Sequence, residues 1–294
     1  MKKLLITGGS GLLGQHLNLE SSEKVKFHTI YSNNIGNCNQ FSSSKININN
    51  KHELKNIFNI FNPDVVIHAA AITNPVPFQD QSSREYFETN VSATKSIGEL
   101  CELHNSKLVY ISTDLVYAGY RGPFHTENGK LIPATLYAET KLIGEEKVRQ
   151  TCDNYLIFRT SLLYGIGLHH ARCHFQTMVE NFKTSKPVKL FTDQFRTPVS
   201  LKDSSKIIFN LAETDLKAET INLGGTERVS RFELGEILCS VAKFDKNLIE
   251  KITMDDIPSF PQVEDVSLKI EKLQSFGFVP RSIEENTAEI IKSP

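Results

Sequence analysis

The fold of this chain is decided near its N-terminus by the segment LLITGGSGLLG, residues 4–14. Its first three residues are apolar, which is typical of a parallel strand that is covered on both faces. A T-G-x-x-G-x-x-G pattern follows at once and leads into an amphipathic stretch. A strand, a glycine turn and a helix in this order favour dinucleotide binding over a purely structural turn, which is the alternative.

The three spaced glycines of this turn are expected to have different tasks. Gly8 permits the tight turn, Gly11 lets a pyrophosphate approach the backbone, and Gly14 lets the new helix pack closely on the strand. The phosphates would then contact free N–H groups at the helix N-terminus. Because no Lys-Ser or Lys-Thr follows, this is not the phosphate loop of a nucleoside triphosphatase. The cofactor contacts predicted in the turn are Gly8, Ser10, Gly11, Leu12, Leu13 and Gly14.

The residues after the second predicted strand bear on the choice of cofactor. This strand covers residues 26–31 and ends at Ser32 and Asn33. An acidic residue here would bind the ribose hydroxyls of NAD, and an arginine would bind the 2′-phosphate of NADP. Neither is present, and the missing carboxylate favours NADP slightly over NAD. The polar segment of residues 33–50 is expected to be a loop.

Length and composition bound the class of protein. The 294 residues can bury a large core in one large or two closely joined domains. The 33 Lys and Arg residues nearly balance 34 Asp and Glu residues, which gives no electrostatic case for nucleic acid or an anionic membrane. The five cysteines are widely spaced without a C-x-x-C pair, so neither a disulfide framework nor a structural zinc site is expected. We predict a soluble, cytoplasmic protein.

Strands and helices alternate through the first half of the chain. A third buried strand at residues 65–67 runs into His68 and three alanines, Ala69, Ala70 and Ala71. Small side chains at the C-terminal end of a strand leave room for a flat ligand, although tight packing explains them equally well. With further strands at residues 108–111 and 155–158, the pattern predicts an α/β fold with a Rossmann-type doubly wound parallel sheet.

The second half of the chain has a less regular pattern. Helices are expected at residues 171–184, 204–212 and 230–241, and a capping pattern at 282–285 opens a final one. We predict that residues 1–165 form the NAD(P)-binding Rossmann domain. A return segment around residues 200–225 would rejoin it, and residues 166–294 would mainly form a smaller substrate-binding lobe.

A proton-transfer device is suggested by the Y-x-x-x-K spacing of Tyr137 and Lys141. Residues four apart share one face of a helix, so both side chains would enter one pocket. An ammonium ~4 Å from the phenol would lower its pKa by about three units, towards neutrality. Thr113, at the end of the fourth strand, would add a hydroxyl to the same oxygen. Taken alone, the spacing is also typical of a solvated helix face.

Two further features are open to more than one interpretation. Asn90 falls inside a predicted helix, where it would belong to a buried polar network or be exposed. In the segment HHARCH, residues 169–174, either His170 with His174 or His169 with Cys173 would share a metal if the segment were helical. A polar segment that lines the substrate lobe explains them as well, and we expect no metal.

Taken together, these motifs resemble the extended short-chain dehydrogenase/reductase family and, within it, the branch of the dTDP-4-dehydrorhamnose reductases. The resemblance covers nearly the whole chain. It rests on residues 7–14 (TGGSGLLG), 63–71 (PDVVIHAAA), 90–91 (NV), 112–117 (STDLVY), 137–145 (YAETKLIGE) and 193–198 (DQFRTP).

The resemblance implies a Rossmann domain with a nicotinamide cofactor, a substrate lobe and a triad of Thr113, Tyr137 and Lys141. The further cofactor contacts that it implies are Ser32, Asn33, Asn47, Ile48, Ala69, Ala70, Ala71, Tyr137 and Lys141. The implied substrate contacts are Asp114, Asn74 and Arg196. Arg196 would bind a diphosphate or form a simple salt bridge. Asn47 stands where relatives often have an aspartate near the adenine, and Leu115 where the branch usually has a tyrosine.

The expected activity is an NAD(P)H-dependent reduction of the C4 ketone of a nucleotide-linked deoxysugar, as in polysaccharide biosynthesis. The substrate would be a small nucleotide sugar, and a homodimer is compatible with the resemblance. A second interpretation is an epimerase or dehydratase, in which the hydride returns to the same substrate. A third is a non-catalytic regulatory subunit on the same fold, which the presence of all three triad residues disfavours.

Overall fold

The computed structural model describes residues 2–21, 25–74 and 82–292. Its strands are β1 (Lys3–Thr7), β2 (Lys26–Tyr31), β3 (Ser43–Lys45), β4 (Val65–His68), β5 (Lys107–Thr113), β6 (Tyr155–Thr160), β7 (Leu163–Tyr164), β8 (Val188–Phe191), β9 (Phe195–Arg196), β10 (Val199–Ser200), β11 (Glu219–Leu223), β12 (Val229–Ser230) and β13 (Ile249–Ile252). Its α-helices are α1 (Leu12–Ser21), α2 (Lys51–Phe61), α3 (Ser83–Phe87), α4 (Ala93–Leu103), α5 (Leu136–Thr151), α6 (His174–Lys183), α7 (Leu201–Ala212), α8 (Arg231–Ala242), α9 (Glu271–Ser275) and α10 (Ile283–Lys292). Within these ranges, no helix has both the length and the apolar character needed to cross a membrane.

Seven parallel strands form the central sheet in the order β11-β6-β5-β4-β1-β2-β3. The chain starts at β1, builds β2 and β3 to one side, and then crosses to β4 on the other side. Ligands of such sheets lie beyond the carboxyl ends of the strands where this reversal occurs. The predicted Rossmann-type fold is confirmed, and the reversal places a ligand crevice beyond β1 and β4.

Successive residues of β1 enter different cores, as the continuous apolar run predicts. Leu4 and Ile6 pack with α1 and α7 on one face of the sheet. Leu5 packs with α2, α4 and α5 on the other face. A strand that is buried on both faces cannot alternate with polar residues, which is why the pattern is uninterrupted.

The prediction of a loop over residues 33–50 is wrong in part. This segment contains a short 3-10 helix (Gly36–Gln40) and β3, which pairs with β2 and forms one edge of the sheet. The sequence Ser43-Ser44-Lys45 carries no apolar alternation, because an edge strand of three residues buries little. Its neighbours are polar too: the His28 ring of β2 hydrogen-bonds the hydroxyls of Ser42 and Ser44 at 2.8 and 3.0 Å.

A third core lies in the second half of the chain, where α6, α8 and α10 pack against β8. β13 pairs with β8 in a small parallel sheet. Two other elements of this half pack on the large sheet: α7 contacts α1, and β11 pairs with β6. The main sheet is therefore completed by residues beyond position 200.

Candidate active site

The glycine turn after β1 is packed too closely for any other residue at two positions. Gly8 has a φ of +71°, and a Cβ added to it would lie 2.6 Å from the Cα of Ala70. A Cβ at Gly14 would lie 2.1 Å from the carbonyl oxygen of Gly8. The turn therefore contacts both the residues after β4 and its own helix through backbone atoms, as the motif predicts.

A cavity of about 490 Å³ opens beyond this turn, at the carboxyl ends of β1, β2 and β4. The predicted cofactor residues that line it are Gly8, Ser10, Gly11, Ser32, Asn33, Asn47, Ile48, Ala69, Ala70 and Ala71. Leu12, Leu13 and Gly14 instead continue into α1, where Leu13 joins the core. The residues fit a dinucleotide, because the close-packed glycines leave the backbone side of the cavity open to a pyrophosphate.

Several residues of the cavity were not predicted. They are Ile30, Tyr31, Asn34, Ile46, Asn49, Ile72, Glu85 and Thr89. Most of them adjoin a predicted residue, so the strand ends could have indicated them. Glu85 and Thr89 come from α3 and the π-helical turn Glu88–Ser92, and only packing brings them here. Among the described lining residues Glu85 alone carries a formal charge, and its carboxylate accepts a hydrogen bond from the Ser82 N–H.

A buried polar network lies beneath the turn. The ring of His68 hydrogen-bonds the hydroxyls of Thr7 and Thr94 at 2.7 and 3.0 Å. Burial and then the charge of Lys141 lower the pKa of His68 to about 3, so its ring is neutral. Asn90 is also buried, and its amide donates to the Thr140 hydroxyl at 3.0 Å. Of the two interpretations of Asn90, the buried network is the one the structure shows.

The helix that carries Tyr137 and Lys141 approaches β5 closely. α5 follows Thr135, whose hydroxyl accepts a hydrogen bond from the Ala138 N–H at 3.1 Å. A Cβ at Gly144 would lie 2.2 Å from the Tyr110 hydroxyl, so this glycine permits the contact between helix and strand. As a result, the Lys141 side chain is buried, and its ammonium lies 3.9 Å from the centre of the Tyr110 ring.

The protonation of Tyr137 differs from the prediction. Its phenol lies near Thr113, whose hydroxyl donates to the Asp114 carboxylate at 3.2 Å. Burial raises the pKa of Tyr137 above its ordinary value, the nearby Thr113 hydroxyl opposes this, and the Asp114 charge adds to it. The predicted lowering towards neutrality is wrong, because burial is the largest influence on the pKa of this phenol. Burial also lowers the pKa of Lys141 itself to about 7.

The predicted substrate residues Asp114 and Arg196 are both buried and lie next to each other. The Arg196 Nε lies 3.6 Å from an Asp114 carboxylate oxygen, which also accepts a hydrogen bond from Ser161 at 3.1 Å. Burial raises the pKa of Asp114 in spite of the Arg196 charge. Arg231, the first residue of α8, faces both side chains, and burial followed by Arg196 lowers its pKa to about 10. No motif pointed to Arg231.

The structure thus contains the salt bridge that was one interpretation of Arg196, and its contact with a diphosphate stays a prediction. Asn74 lies at the end of a described range, and its backbone carbonyl accepts a hydrogen bond from the Tyr86 hydroxyl at 2.9 Å. Its predicted contact with substrate also stays a prediction.

The histidine segment does not form the helix that a shared metal would need. The predicted helix over residues 171–184 begins only at His174, because His169 has a left-handed φ of 52° and Cys173 is extended. The i,i+4 pairs are therefore not on one helical face. Across the described ranges, no group of three or more His, Cys, Asp or Glu side chains could hold a metal ion.

A Rossmann-type sheet, a glycine turn beneath an open cavity, and a Thr-Tyr-Lys set at the same edge define the extended short-chain dehydrogenase/reductase class. Within this class the chain belongs to the family described as RmlD substrate binding domain, which it matches over residues 1–294.

Individual relatives agree with this placement. The dTDP-4-dehydrorhamnose reductase of Aggregatibacter actinomycetemcomitans is 26% identical over 263 residues, which cover 88% of this chain and 83% of that protein. Methionine adenosyltransferase 2 subunit beta of Xenopus laevis is 24% identical over 286 residues, covering 96% and 84%. The solved dTDP-4-dehydrorhamnose reductase of Bacillus anthracis in complex with NADP has a TM-score of 0.84 at 24% identity, covering 100% of this chain and 99% of that chain, and shows a shared fold.

The predictions of the family, of the fold and of an oxidoreductase of the extended short-chain dehydrogenase/reductase type are confirmed. The Bacillus anthracis structure contains NADP, and the residues that line the cavity of this chain fit such a dinucleotide.

Proposed function

We propose that this enzyme reduces the C4 ketone of a nucleotide-linked deoxysugar, as the name dTDP-4-dehydrorhamnose reductase states for its relatives. One observation carries the proposal. The Tyr137 phenol, with Thr113 nearby, shares α5 with the buried Lys141 at the sheet edge that also forms the cofactor cavity. A proton donor therefore lies at the edge where a nicotinamide would be bound.

The catalytic side chains would act on the proton. A nicotinamide cofactor, when bound, would supply the hydride for the carbonyl carbon. Tyr137 gives its hydroxyl proton to the carbonyl oxygen, and its raised pKa keeps it protonated, as the acid of a reduction must be. Thr113, which lies near the phenol, would orient it through a hydrogen bond. Lys141, in its charged form, stabilises the phenolate that remains and would contact the nicotinamide ribose.

The cavity residues would hold the cofactor in a definite direction. Gly8 and Gly11 would contact the pyrophosphate, Ala70 would face the flat part of the cofactor, and Ser32 and Asn47 would lie at the adenosine end. We propose NADP over NAD, because neither Ser32 nor its neighbours offer the carboxylate that binds the free ribose hydroxyls of NAD.

The buried residues Asp114 and Arg196 would bind the substrate. Asp114 and Asn74 would contact the sugar. Arg196 would exchange its 3.6 Å contact with Asp114 for the diphosphate, since a guanidinium matches phosphate oxygens in a fork. We also propose a cytoplasmic location, in which all five cysteines keep the free form seen here, and a homodimer.

A regulatory-subunit function is the second candidate, favoured by the similarity to methionine adenosyltransferase 2 subunit beta. The complete triad argues against it. An epimerase or dehydratase would use the same cofactor without consuming it.

One assay separates these functions. Purified protein is mixed with NADPH or NADH and a panel of nucleotide-linked 4-ketosugars, and the loss of reduced cofactor is followed. We expect stoichiometric consumption, faster with NADPH. Cofactor binding with no consumption across the panel would contradict the reductase, and product formation without net consumption would indicate an epimerase.

A further inference from the structure

A buried acid lies one helical turn beyond Lys141 and has no part in the mechanism above. The Glu145 side chain is 0% exposed. One carboxylate oxygen accepts hydrogen bonds from the Ser112 hydroxyl at 2.6 Å and the Arg159 Nε at 3.0 Å. The other accepts from Arg159 Nη2 at 2.8 Å and Arg149 Nη2 at 3.1 Å. The carboxylate is therefore ionised and fixed.

Arg159, the main partner of Glu145, is also held in place. The second terminal nitrogen of Arg159 donates to the Tyr117 hydroxyl and to the carbonyl of Glu127, both at 2.9 Å. Tyr117 in turn donates to the Asn222 side chain of β11 at 2.7 Å. A buried ion pair is seldom more stable than apolar side chains of the same volume. Stability alone is therefore a weak reason for this pair.

The surroundings of Lys141 supply a better reason. Residues four apart on a helix have Cβ atoms about 5–6 Å apart, so Glu145 is the next charged neighbour of Lys141 on α5. Tyr137 faces Lys141 from the same helix, the neutral His68 faces it from β4, and the Tyr110 ring faces it from β5.

Glu145 is thus the anion among the groups that face Lys141 in the described part of the chain. Burial lowers the pKa of Lys141 to about 7, and the Glu145 charge raises it. Without that charge the amine would lose its proton at still lower pH.

We propose that Glu145 is a positioning residue of the reduction, whose fixed carboxylate keeps Lys141 in the ammonium form. The proposal rests on the function proposed for Tyr137 and Lys141. It also assigns a task to the Gly-Glu pair of the segment YAETKLIGE. Gly144 lets α5 approach Tyr110, so that Lys141 packs on the Tyr110 ring. Glu145 keeps Lys141 charged in that position.

Three variants test it. Glu145→Gln removes the charge at nearly constant shape but leaves Arg159 buried without its counterion. Glu145→Gln combined with Arg159→Gln removes both charges and guards against failure to fold. Arg149→Gln, at a residue whose side chain is 30% exposed, is the control that leaves the carboxylate in place.

The first readout needs no substrate. Lysine side chains carrying ¹³C at Cε are titrated by NMR, and the Lys141 signal is identified by its loss in Lys141→Met. We expect the Lys141 midpoint to fall by about one pH unit in Glu145→Gln. The fall should be smaller but in the same direction in the double variant, since Arg159 lies beyond Glu145, and absent in Arg149→Gln.

The second readout is the rate of ketone reduction against pH. Because the ammonium is the active form, activity is lost as pH rises through the Lys141 pKa, and this limb should move to lower pH with the NMR midpoint. An unmoved Lys141 midpoint in the folded double variant would overturn the role of Glu145. Absence of turnover by the wild type would contradict the proposed reductase and leave the NMR result valid.

Discussion

The cofactor cavity and the catalytic corner, which consists of Thr113, Asp114, Tyr137, Lys141 and Arg196, share one edge of the sheet but are built differently. The cavity is lined by small, apolar and uncharged polar residues, with one charged side chain, Glu85, among those described. The catalytic corner buries Asp114, Lys141 and Arg196. Binding in the cavity therefore depends on how closely the backbone can be approached. Chemistry in the corner depends on which side chains hold a proton. Substitutions in the two regions should differ in what they change and in their dependence on pH.

The largest effect is expected from Tyr137→Phe in the catalytic corner. Loss of the proton donor should lower kcat by about 10²- to 10⁴-fold and leave the Kd for cofactor nearly unchanged. Single-turnover kinetics and cofactor titration measure the two quantities. Tyr120→Phe, at a tyrosine that is 64% exposed, is the matched control. Retained turnover in Tyr137→Phe would remove the distinction between the two regions.

Arg196→Gln should weaken binding of a nucleotide sugar by about 10- to 100-fold, because charge-assisted hydrogen bonds to phosphate are lost. Affinity for the free sugar should change much less, and affinity for cofactor not at all. Titration calorimetry with each ligand gives the comparison, with the exposed Arg172→Gln as control. Equal losses for both sugars would leave the salt bridge to Asp114 as the task of Arg196.

Gly8→Ala tests whether cofactor binding in the cavity depends on the close packing of the glycine turn. Its Cβ would lie 2.6 Å from the Ala70 backbone, so the turn must shift, and cofactor affinity should fall about tenfold at every pH. Gly122→Ala is matched in backbone strain, since its φ is +84°, but nothing lies within 4 Å of its Cβ. It should cost about 1–2 kcal/mol of unfolding free energy and leave cofactor affinity unchanged. Similar cofactor affinities in the two variants would count against the packed turn.

The last prediction concerns stability. Because burial lowers the pKa of Lys141 to about 7, the folded chain has lost a proton that the unfolded chain keeps up to its ordinary lysine pKa. Between these values the wild type should gain stability over Lys141→Met as pH rises, by up to ~1.4 kcal/mol per pH unit. Urea unfolding at a series of pH values measures the difference. Parallel curves of unfolding free energy against pH for the wild type and Lys141→Met would mean that the pKa of Lys141 is not lowered by folding.

The two regions also differ in how far the sequence predicts them. The cavity was predictable because each strand end is followed by a local signal: spaced glycines after β1, polar residues after β2 and alanines after β4. These signals depend on backbone geometry, which is encoded nearby in the chain.

The catalytic corner was predictable in its residue types but not in its electrostatics. The spacing of Tyr137 and Lys141 says nothing about burial, and burial decides the direction of both pKa shifts. Arg231 and Glu85 reach their sites through packing between distant segments, so no local pattern indicates them. The edge strand β3 was missed for a related reason, since its three polar residues are held by pairing with β2.

The position of β11 has a consequence for biosynthesis on the ribosome. β6 ends at Thr160, but β11, which pairs with its outer edge, ends only at Leu223. The edge of β6 therefore stays unpaired while the segment between the two strands is translated. At about 5–20 residues per second this interval lasts roughly 3–12 s. During those seconds the nascent N-terminal half exposes a strand that pairs readily with other chains. A gene fragment that stops near codon 165 would make this state permanent, and its product should accumulate in inclusion bodies.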